Sequence, residues 1–532
     1  MTMPTTIPLA SARAAESFGE RIAIEDGALR MTYRELRVAS QRAAAALIAA
    51  GIEPADRVAI WAPNRSEWIV LALGTALAGA TLVPINTRFK ADEAGYLLEK
   101  SRAKILFTAR EFLGARYLEQ LRAAHGGAGG SRPIAGLPNL QRAVLLEELS
   151  EFLAGGADVA ESGLRERESR VSGDTISDIM FTSGTTGRPK GVATSHAQNL
   201  RAIAAWCDCV GLRADDRYLI VSPFFHAFGW KAGVLACLLT GATILPHTVF
   251  DAAQVLSRLQ RESISVLPGP PTLYQSLLAH PQLKAAELPR LRLAVTGAAV
   301  VPLELVERMK SELGFETIVT GYGLTECCGF ATMCRQGDDL RTIATTSGRA
   351  IEGVEVRVVD AAGTPVQPGT PGEVVVRGYN VMQGYFEAPG ETREVIDAAG
   401  FLHTGDVGVM DAAGNLRITD RLKDMYIAGG FNCYPAEIER VIATHPGVAQ
   451  VAVIGIPDAR LGEVGMAFIV PRNGQLVAEN SQWYEPLEAF CRERMANYKV
   501  PRRFALIAEL PLNASGKVLK GRLRANVGPD PA

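Results

Sequence analysis

An internal repeat constrains this chain more than any other feature of its sequence. The run Asp56-Arg57-Val58-Ala59-Ile60-Trp61-Ala62-Pro63 is echoed by Asp216-Arg217-Tyr218-Leu219-Ile220-Val221-Ser222-Pro223, and Gly79-Ala80-Thr81-Leu82-Val83-Pro84 by Gly241-Ala242-Thr243-Ile244-Leu245-Pro246. Both copies read as strand, helix, short glycine turn and strand. A strand joined through a helix to a neighbouring strand forms a right-handed parallel unit. The front of the chain is therefore expected to be α/β, with two similar βαβ lobes at about 1–170 and 171–345. Chance likeness between two hydrophobic βαβ units is the competing explanation. The uncharged stretches Trp68 to Thr87 and Ala232 to Phe250 fall inside the repeat and are long enough to raise the question of a membrane span. Gly and Thr interrupt each, and each closes on a Val-Pro or Leu-Pro step, which suits a buried helix, turn and strand better.

Beyond the lobes, alternating runs such as Val354-Glu355-Val356-Arg357-Val358-Val359 and Gly372-Glu373-Val374-Val375-Val376-Arg377 are separated by Gly/Pro turns. This is the pattern of a small β unit, barrel-like, at about 346–421. The large N-terminal domain then runs over 1–421, with a hinge at 422–425 and a smaller, mobile α+β domain over 426–532. In that last domain, helices are expected around Pro435 to Ala443 and Pro486 to Met495, and strands at Val451 to Gly455 and Met466 to Val470. More than one domain is required at 532 residues, because single cores stop growing at about 250–300 residues.

Charge narrows the partners. With 55 basic and 57 acidic residues the net charge is -2, so there is no positive field to hold a nucleic acid or an anionic membrane. The eight cysteines, Cys207, Cys209, Cys237, Cys327, Cys328, Cys334, Cys433 and Cys491, contain no C-x-x-C pair. Neither a zinc site nor a disulfide framework is suggested, and the expected compartment is reducing cytoplasm. Met1 to Glu20 lacks the basic start and apolar run of a signal peptide.

The densest chemical signal is Phe181-Thr182-Ser183-Gly184-Thr185-Thr186-Gly187-Arg188-Pro189-Lys190-Gly191. Its glycines permit backbone N–H groups to turn inward, its hydroxyls add donors, and Lys190 adds a point charge, which together suit a polyphosphate. The spacing differs from the Walker A loop. An ordinary Gly/Thr-rich turn would explain the glycines but not the hydroxyls and the lysine together.

With its companions Gly321-Tyr322-Gly323-Leu324-Thr325-Glu326, Thr404-Gly405-Asp406, Asp420-Arg421-Leu422-Lys423-Asp424 and Asn513-Ala514-Ser515-Gly516-Lys517, the sequence resembles the adenylate-forming family. That family includes acyl-CoA synthetases, carrier-loading adenylation domains and beetle luciferases. Any one motif is weak, but their order and spacing are strong. The resemblance implies an AMP-forming acid–thiol ligase that uses ATP, Mg²⁺ and coenzyme A. It implies that Glu326 holds Mg²⁺, Thr325 donates to the α-phosphate, and Lys517 reaches the reacting carboxylate and the α-phosphate. Asp406 would take both ribose hydroxyls, with Arg421 beside them, and Gly297, Ala298, Gly321 and Tyr322 would form the adenine slot. Lys423 matches the position about which the C-terminal domain swings, and Gly429 and Gly430 resemble the segment beside the pantetheine tunnel. For Glu326 the bland alternative is a solvated glutamate at a helix start; for Asp406, a turn residue.

Amino-acid-loading relatives carry an aspartate in the segment that here reads Pro223-Phe224-Phe225-His226-Ala227-Phe228-Gly229-Trp230. Its absence points to an uncharged acyl chain. By resemblance His226 gates the carboxylate, a core histidine being the alternative, and Phe225, Trp230, Gly297 and Gly329 line the acid pocket. The stretches Ser222 to Asp251 and Val266 to His280 look particularly like bacterial ligases that activate the bicyclic propanoate of steroid ring degradation. Small residues, Gly233, Gly297, Gly321 and Gly329, would leave room for such an acid. A medium-chain fatty acid, or the loading of a carrier protein, is the alternative. A non-catalytic adenylate-binding protein is disfavoured by the presence of Glu326, Asp406, Arg421 and Lys517 together, and nothing implies the luciferin that an oxygenase on this scaffold would need.

Overall fold

A continuous apolar strand such as Val58-Ala59-Ile60-Trp61, fully buried, needs a sheet covered on both faces, and parallel sheets meet that demand. In the computed structural model, Arg57–Trp61 lies parallel between Thr81–Pro84 and Ala103–Thr108. The structure describes residues 3–126, 134–182, 189–285, 287–297, 301–422, 424–428, 431–458, 460–472, 483–495, 497–513 and 518–527, with the backbone alone at 284, 285, 421, 431 and 432.

The repeat is real at the level of hydrogen bonds. In the first copy the Glu53 N–H donates to Asp56 Oδ2 at 2.8 Å and the Thr81 N–H to the Asp56 carbonyl at 2.7 Å. In the second, the Arg213 N–H donates to Asp216 Oδ2 at 2.9 Å and the Thr243 N–H to the Asp216 carbonyl at 2.9 Å. Each aspartate also meets a cation associated with another strand of its lobe. Lys104 Nζ lies 2.6 Å from Asp56, and Arg292 Nε donates to Asp216 at 2.8 Å. The uncharged stretches form the buried helix Ser66–Leu77 with the strand Thr81–Pro84, and the turns Trp230–Leu235 and Ala236–Thr240 with the strand Thr243–Pro246. Among the described residues no helix is long and apolar enough to cross a membrane.

The sheets do not follow the expected lobe boundaries. The strand Ile22–Asp26, early in the chain, pairs in parallel with Thr243–Pro246 of the second copy. Conversely, Ile176–Thr182, expected in the second lobe, pairs in parallel with Thr81–Pro84 of the first. Strand pairing is decided by long-range hydrogen bonding, which a repeat in the sequence does not encode.

Contacts divide the chain into two units, one comprising 1–297, 301–355 and 376–402, the other 298–300, 356–375 and 403–532. The division falls within the expected β unit rather than at 422–425. The strands Val354–Val359, Gly372–Gly378, Leu402–Met410 and Leu416–Arg421 form one four-stranded sheet in that order. Within the second unit, the long antiparallel hairpin Val448–Asp458 with Gly462–Pro471 carries two apolar clusters, one around Ile438, Val453 and Leu487, the other around Ile454, Val464 and Leu523. Alternate residues of a strand point to opposite faces, so Val453 and Ile454 serve different clusters. The helices Pro435–Ile442 and Glu485–Arg494 lie within a residue or so of the expected ranges.

Candidate active site

In open α/β sheets, ligands bind beyond the carboxyl ends of parallel strands. Several of the expected site residues of the first unit stand there. Thr182 ends Ile176–Thr182, Gly297 ends Leu293–Gly297, and Tyr322 ends Thr317–Tyr322, with Gly297 and Gly321 as parallel register partners. Thr182 is also the antiparallel partner of Lys190, so the strands before and after the hydroxyl-rich segment pair with each other. Residues Ser183, Gly184, Thr185, Thr186 and Gly187 of that loop lie outside the described residues, as do Ala298, Lys423, Gly429, Gly430 and Lys517.

Glu326 sits in the short helix Thr325–Cys327 and is the centre of the arrangement. Its Oε1 accepts from Thr182 Oγ1 at 3.3 Å and from Tyr385 Oη at 3.1 Å, and its carbonyl accepts from the Met382 N–H at 2.8 Å. Lys190 Nζ is 2.6 Å from Glu391 and stands 5.0 Å from the centre of the Tyr385 ring. Glu326, distant in sequence, is thus brought to the end of the strand pair that carries Thr182 and Lys190. Tyr385 and Glu391 are additions that sequence reasoning missed. Tyr385 belongs to the two-residue strand Gly384–Tyr385, held against Lys190–Ser195 with Tyr385 opposite Val192. So short a strand leaves no periodic signal. Burial first, then the Glu326 charge, pushes the Tyr385 hydroxyl well above its ordinary range, so it stays a donor.

Mg²⁺ fits this chemistry. A hard cation that keeps waters and binds phosphates needs only one or two protein carboxylates. Glu326 supplies one, with both hydroxyl donors directed to the same oxygen, and no cluster of three or more His, Cys, Asp or Glu exists among the described residues.

The segment expected to handle the acid packs against Gly329 and Phe330, just after Glu326 in the chain. Phe228 and Phe330 rings are 6.2 Å apart, and a Cβ on Gly329 would come within 3.3 Å of the Ala227 Cβ. His226 begins the turn Ala227–Gly229, its Nδ1 accepting from the Phe228 N–H at 3.2 Å. The ring is accessible to solvent, against the alternative of a core histidine. Although one edge of the ring meets solvent, the protein packed around it and then the Lys231 ammonium hold its pKa below the usual value. Phe225 is half-buried, whereas Trp230 is a core residue, 1% exposed with its ring 5.3 Å from that of Trp68. The expectation that small residues leave room is also corrected at two positions. A Cβ on Gly233 would lie 2.9 Å from Ile220, and one on Gly321 would lie 2.2 Å from the Met333 sulfur. Those glycines allow close packing.

In the second unit, Asp406 is 5% exposed and is the register partner of Arg421. Its N–H donates to Thr404 Oγ1 at 3.1 Å, Thr404 donates to the Val374 carbonyl at 2.7 Å, and the Gly405 N–H reaches Glu373 at 3.1 Å. Gly405 has φ +68°, a conformation glycine adopts without strain. Asp420 Oδ2 accepts from the Ala436 N–H at 2.9 Å, at the start of Pro435–Ile442, where a carboxylate is favoured by the helix dipole. Cys433 is buried and its thiol is raised above its usual pKa by burial, consistent with a passive role.

A family model described as AMP-binding enzyme matches residues 11–386, and one described as AMP-binding enzyme C-terminal domain matches 437–517. Over 530 residues the chain is 48% identical to a (7a-methyl-1,5-dioxo-octahydro-1H-inden-4-yl)propanoyl:CoA ligase of Rhodococcus jostii, covering 98% of each. To the ligase of the same name from Mycobacterium tuberculosis it is 50% identical over 525 residues, again covering 98% of each. Among solved structures, a Mycobacterium tuberculosis fatty acyl CoA synthetase superposes with a TM-score of 0.76 at 32% identity over 98% of both chains. An anthranilate CoA ligase in complex with anthranoyl-AMP does so with a TM-score of 0.84 at 26% identity, over 99% of this chain and 98% of that one.

Proposed function

The chain belongs to the AMP-binding enzyme family as an ATP-dependent, AMP-forming acyl-CoA ligase, and we propose that its acid is a bicyclic, ring-bearing propanoate of the octahydroindene type. The observation that carries the substrate is the identity of 48% and 50%, along essentially the whole chain, with two ligases named for that acid. The absence of an acidic residue from Pro223 to Trp230 agrees with an uncharged acyl body.

In the first half-reaction the acid's carboxylate oxygen attacks the α-phosphorus of ATP, the bond to the β-phosphate oxygen breaks, and pyrophosphate leaves. Two anions must meet, so the site has to neutralise charge and fix an in-line geometry. Bound Mg²⁺ supplies neutralisation at the phosphates. Glu326 is read as its ligand, with Thr182 and Tyr385 fixing the carboxylate through the hydroxyl bonds to Oε1. Lys190 adds positive charge at the hairpin end, and Thr325 is read as a donor to the α-phosphate. His226, neutral, can stand beside the acid's carboxylate without forming a competing ion pair. Asp406 and Arg421 are read as holding the ribose. In the second half-reaction the coenzyme A thiol attacks the acyl carbonyl and AMP leaves with the electron pair of the broken anhydride bond. Lys517 serves the first step on this reading, with Lys423 as the hinge and Gly429 and Gly430 beside the thiol. A cytoplasmic location accords with the supply of ATP and coenzyme A there.

Incubation of the protein with ATP, Mg²⁺, coenzyme A and a panel of acids tests this reading. AMP, pyrophosphate and acyl-CoA should form in equal amounts, with the bicyclic propanoate preferred to a medium straight-chain acid. Stoichiometric ADP would overturn the chemistry. Preference for the straight chain would overturn the substrate alone.

A further inference from the structure

Beneath the acid segment lies an ion pair to which the reaction gives no role. Lys231 and Asp178 are wholly buried, with Nζ 3.1 Å from Oδ1. Lys231 Nζ also donates to Thr194 Oγ1 at 3.0 Å, and Thr194 donates in turn to Asp178 Oδ1 at 3.0 Å. The other carboxylate oxygen accepts from Ser177 Oγ at 2.7 Å and Asn199 Nδ2 at 2.6 Å. Taking a lysine and an aspartate out of water costs several kcal/mol per ion, and a well-packed apolar pair is often as stable or more so. Lys231 stands in the run Phe228-Gly229-Trp230-Lys231-Ala232-Gly233-Val234-Leu235, where an apolar side chain would match its neighbours. Stability is thus a poor account of the pair.

Its place in the fold supplies a better one. Asp178 is on the strand that enters the phosphate loop, Thr194 on the strand that leaves it, and Lys231 on a π-helical turn, Trp230–Leu235, directly after the His226 segment. π-helical turns are rare and concentrate at functional sites. The turn is clamped at three successive points: Trp230 on Trp68, Lys231 on Asp178 and Thr194, and Gly233 on Ile220. Only the middle clamp ties it to the hairpin that carries Thr182 and Lys190.

We propose that Lys231 is a positioning residue for acid selection: its buried bond to Asp178 and Thr194 holds the π-helical turn, and with it the Phe225–Phe228 wall and His226, in register with the phosphate hairpin. This rests on the ligase reading of the same site but not on the identity of the acid. The register sets where the acid's ring body lies relative to the α-phosphorus, so losing it penalises a rigid, bulky acid more than a flexible chain.

Lys231→Met alone leaves Asp178 buried and unpaired and can fail to fold, so the informative variant is Lys231→Met/Asp178→Asn, which removes both charges. Pyrophosphate exchange is measured with ATP and with acids of differing bulk, alongside a thermal melt. Expected are a melt close to wild type, KM for ATP within about twofold, KM for the preferred bulky acid raised about tenfold or more, and a smaller loss with a flexible acid. An unchanged KM and unchanged acid preference in a folded double variant would overturn the proposal, as would equal losses for every acid and for ATP. If wild type prefers some other bulky acid, the substrate proposal fails while this test proceeds with that acid.

Discussion

Tyr385→Phe isolates one atom of the Glu326 arrangement. The substitution removes the hydroxyl that donates to Oε1 at 3.1 Å, yet keeps the ring beneath the Lys190 ammonium. A hydrogen bond to a charged group contributes about 1.5–3 kcal/mol, and the partly buried setting argues for the lower end. About 1.5 kcal/mol corresponds to roughly a tenfold change in an equilibrium constant. Loss of a group that orients a metal ligand typically costs about 10–100-fold in metal affinity, so the two estimates meet near tenfold. The Mg²⁺ concentration for half-maximal pyrophosphate exchange should therefore rise about tenfold, with little change in KM for the acid and a melt near that of wild type. Thr182→Ala removes the second donor to the same oxygen, and the double variant should show coupling, since the remaining donor tightens when the other is lost. A Tyr385→Phe enzyme with the wild-type Mg²⁺ dependence would refute the reasoning, because the hydroxyl would then contribute nothing to the metal-binding form of Glu326.

Asp406→Ala should raise KM for ATP by about tenfold or more while leaving KM for the acid within twofold, since charge-assisted bonds to two ribose hydroxyls are worth a few kcal/mol; unchanged ATP kinetics would assign Asp406 to a turn. His196 is buried and held neutral, its pKa pushed down to about 4 mainly by burial, so below the ordinary value of 6.5 the unfolded chain binds the extra proton and stability falls as pH drops from 6.5 towards 4. Urea unfolding at pH 7 and pH 5 should differ by about 2 kcal/mol from this group, and His196→Gln should remove most of that difference. Lys517→Ala should suppress acyl-adenylate formation far more than thioester formation from supplied acyl-adenylate; equal losses in the two assays would make Lys517 structural.

The amino-acid sequence by itself determined the class of chemistry and the units that carry it. The paired Asp-Arg and Gly-Ala-Thr runs encode strand, helix and strand because apolar spacing and glycine turns are local properties, and the structure returns both copies with the same aspartate caps. The hydroxyl-rich loop and the Thr325-Glu326 motif are legible for the same reason: phosphate and Mg²⁺ require particular atom types at short spacing. What the tertiary structure decided is everything that depends on partners far apart in the chain. It moved Ile22–Asp26 and Ile176–Thr182 into sheets on the opposite side of the expected lobe boundary, because strands pair by available edges and not by order. It brought Tyr385 from a two-residue strand onto Glu326, and it turned Trp230 and Gly233 from expected pocket walls into packing contacts. It also set Lys231, unremarkable in sequence, against Asp178, since whether a lysine is solvated or wholly buried is fixed by what the fold places around it.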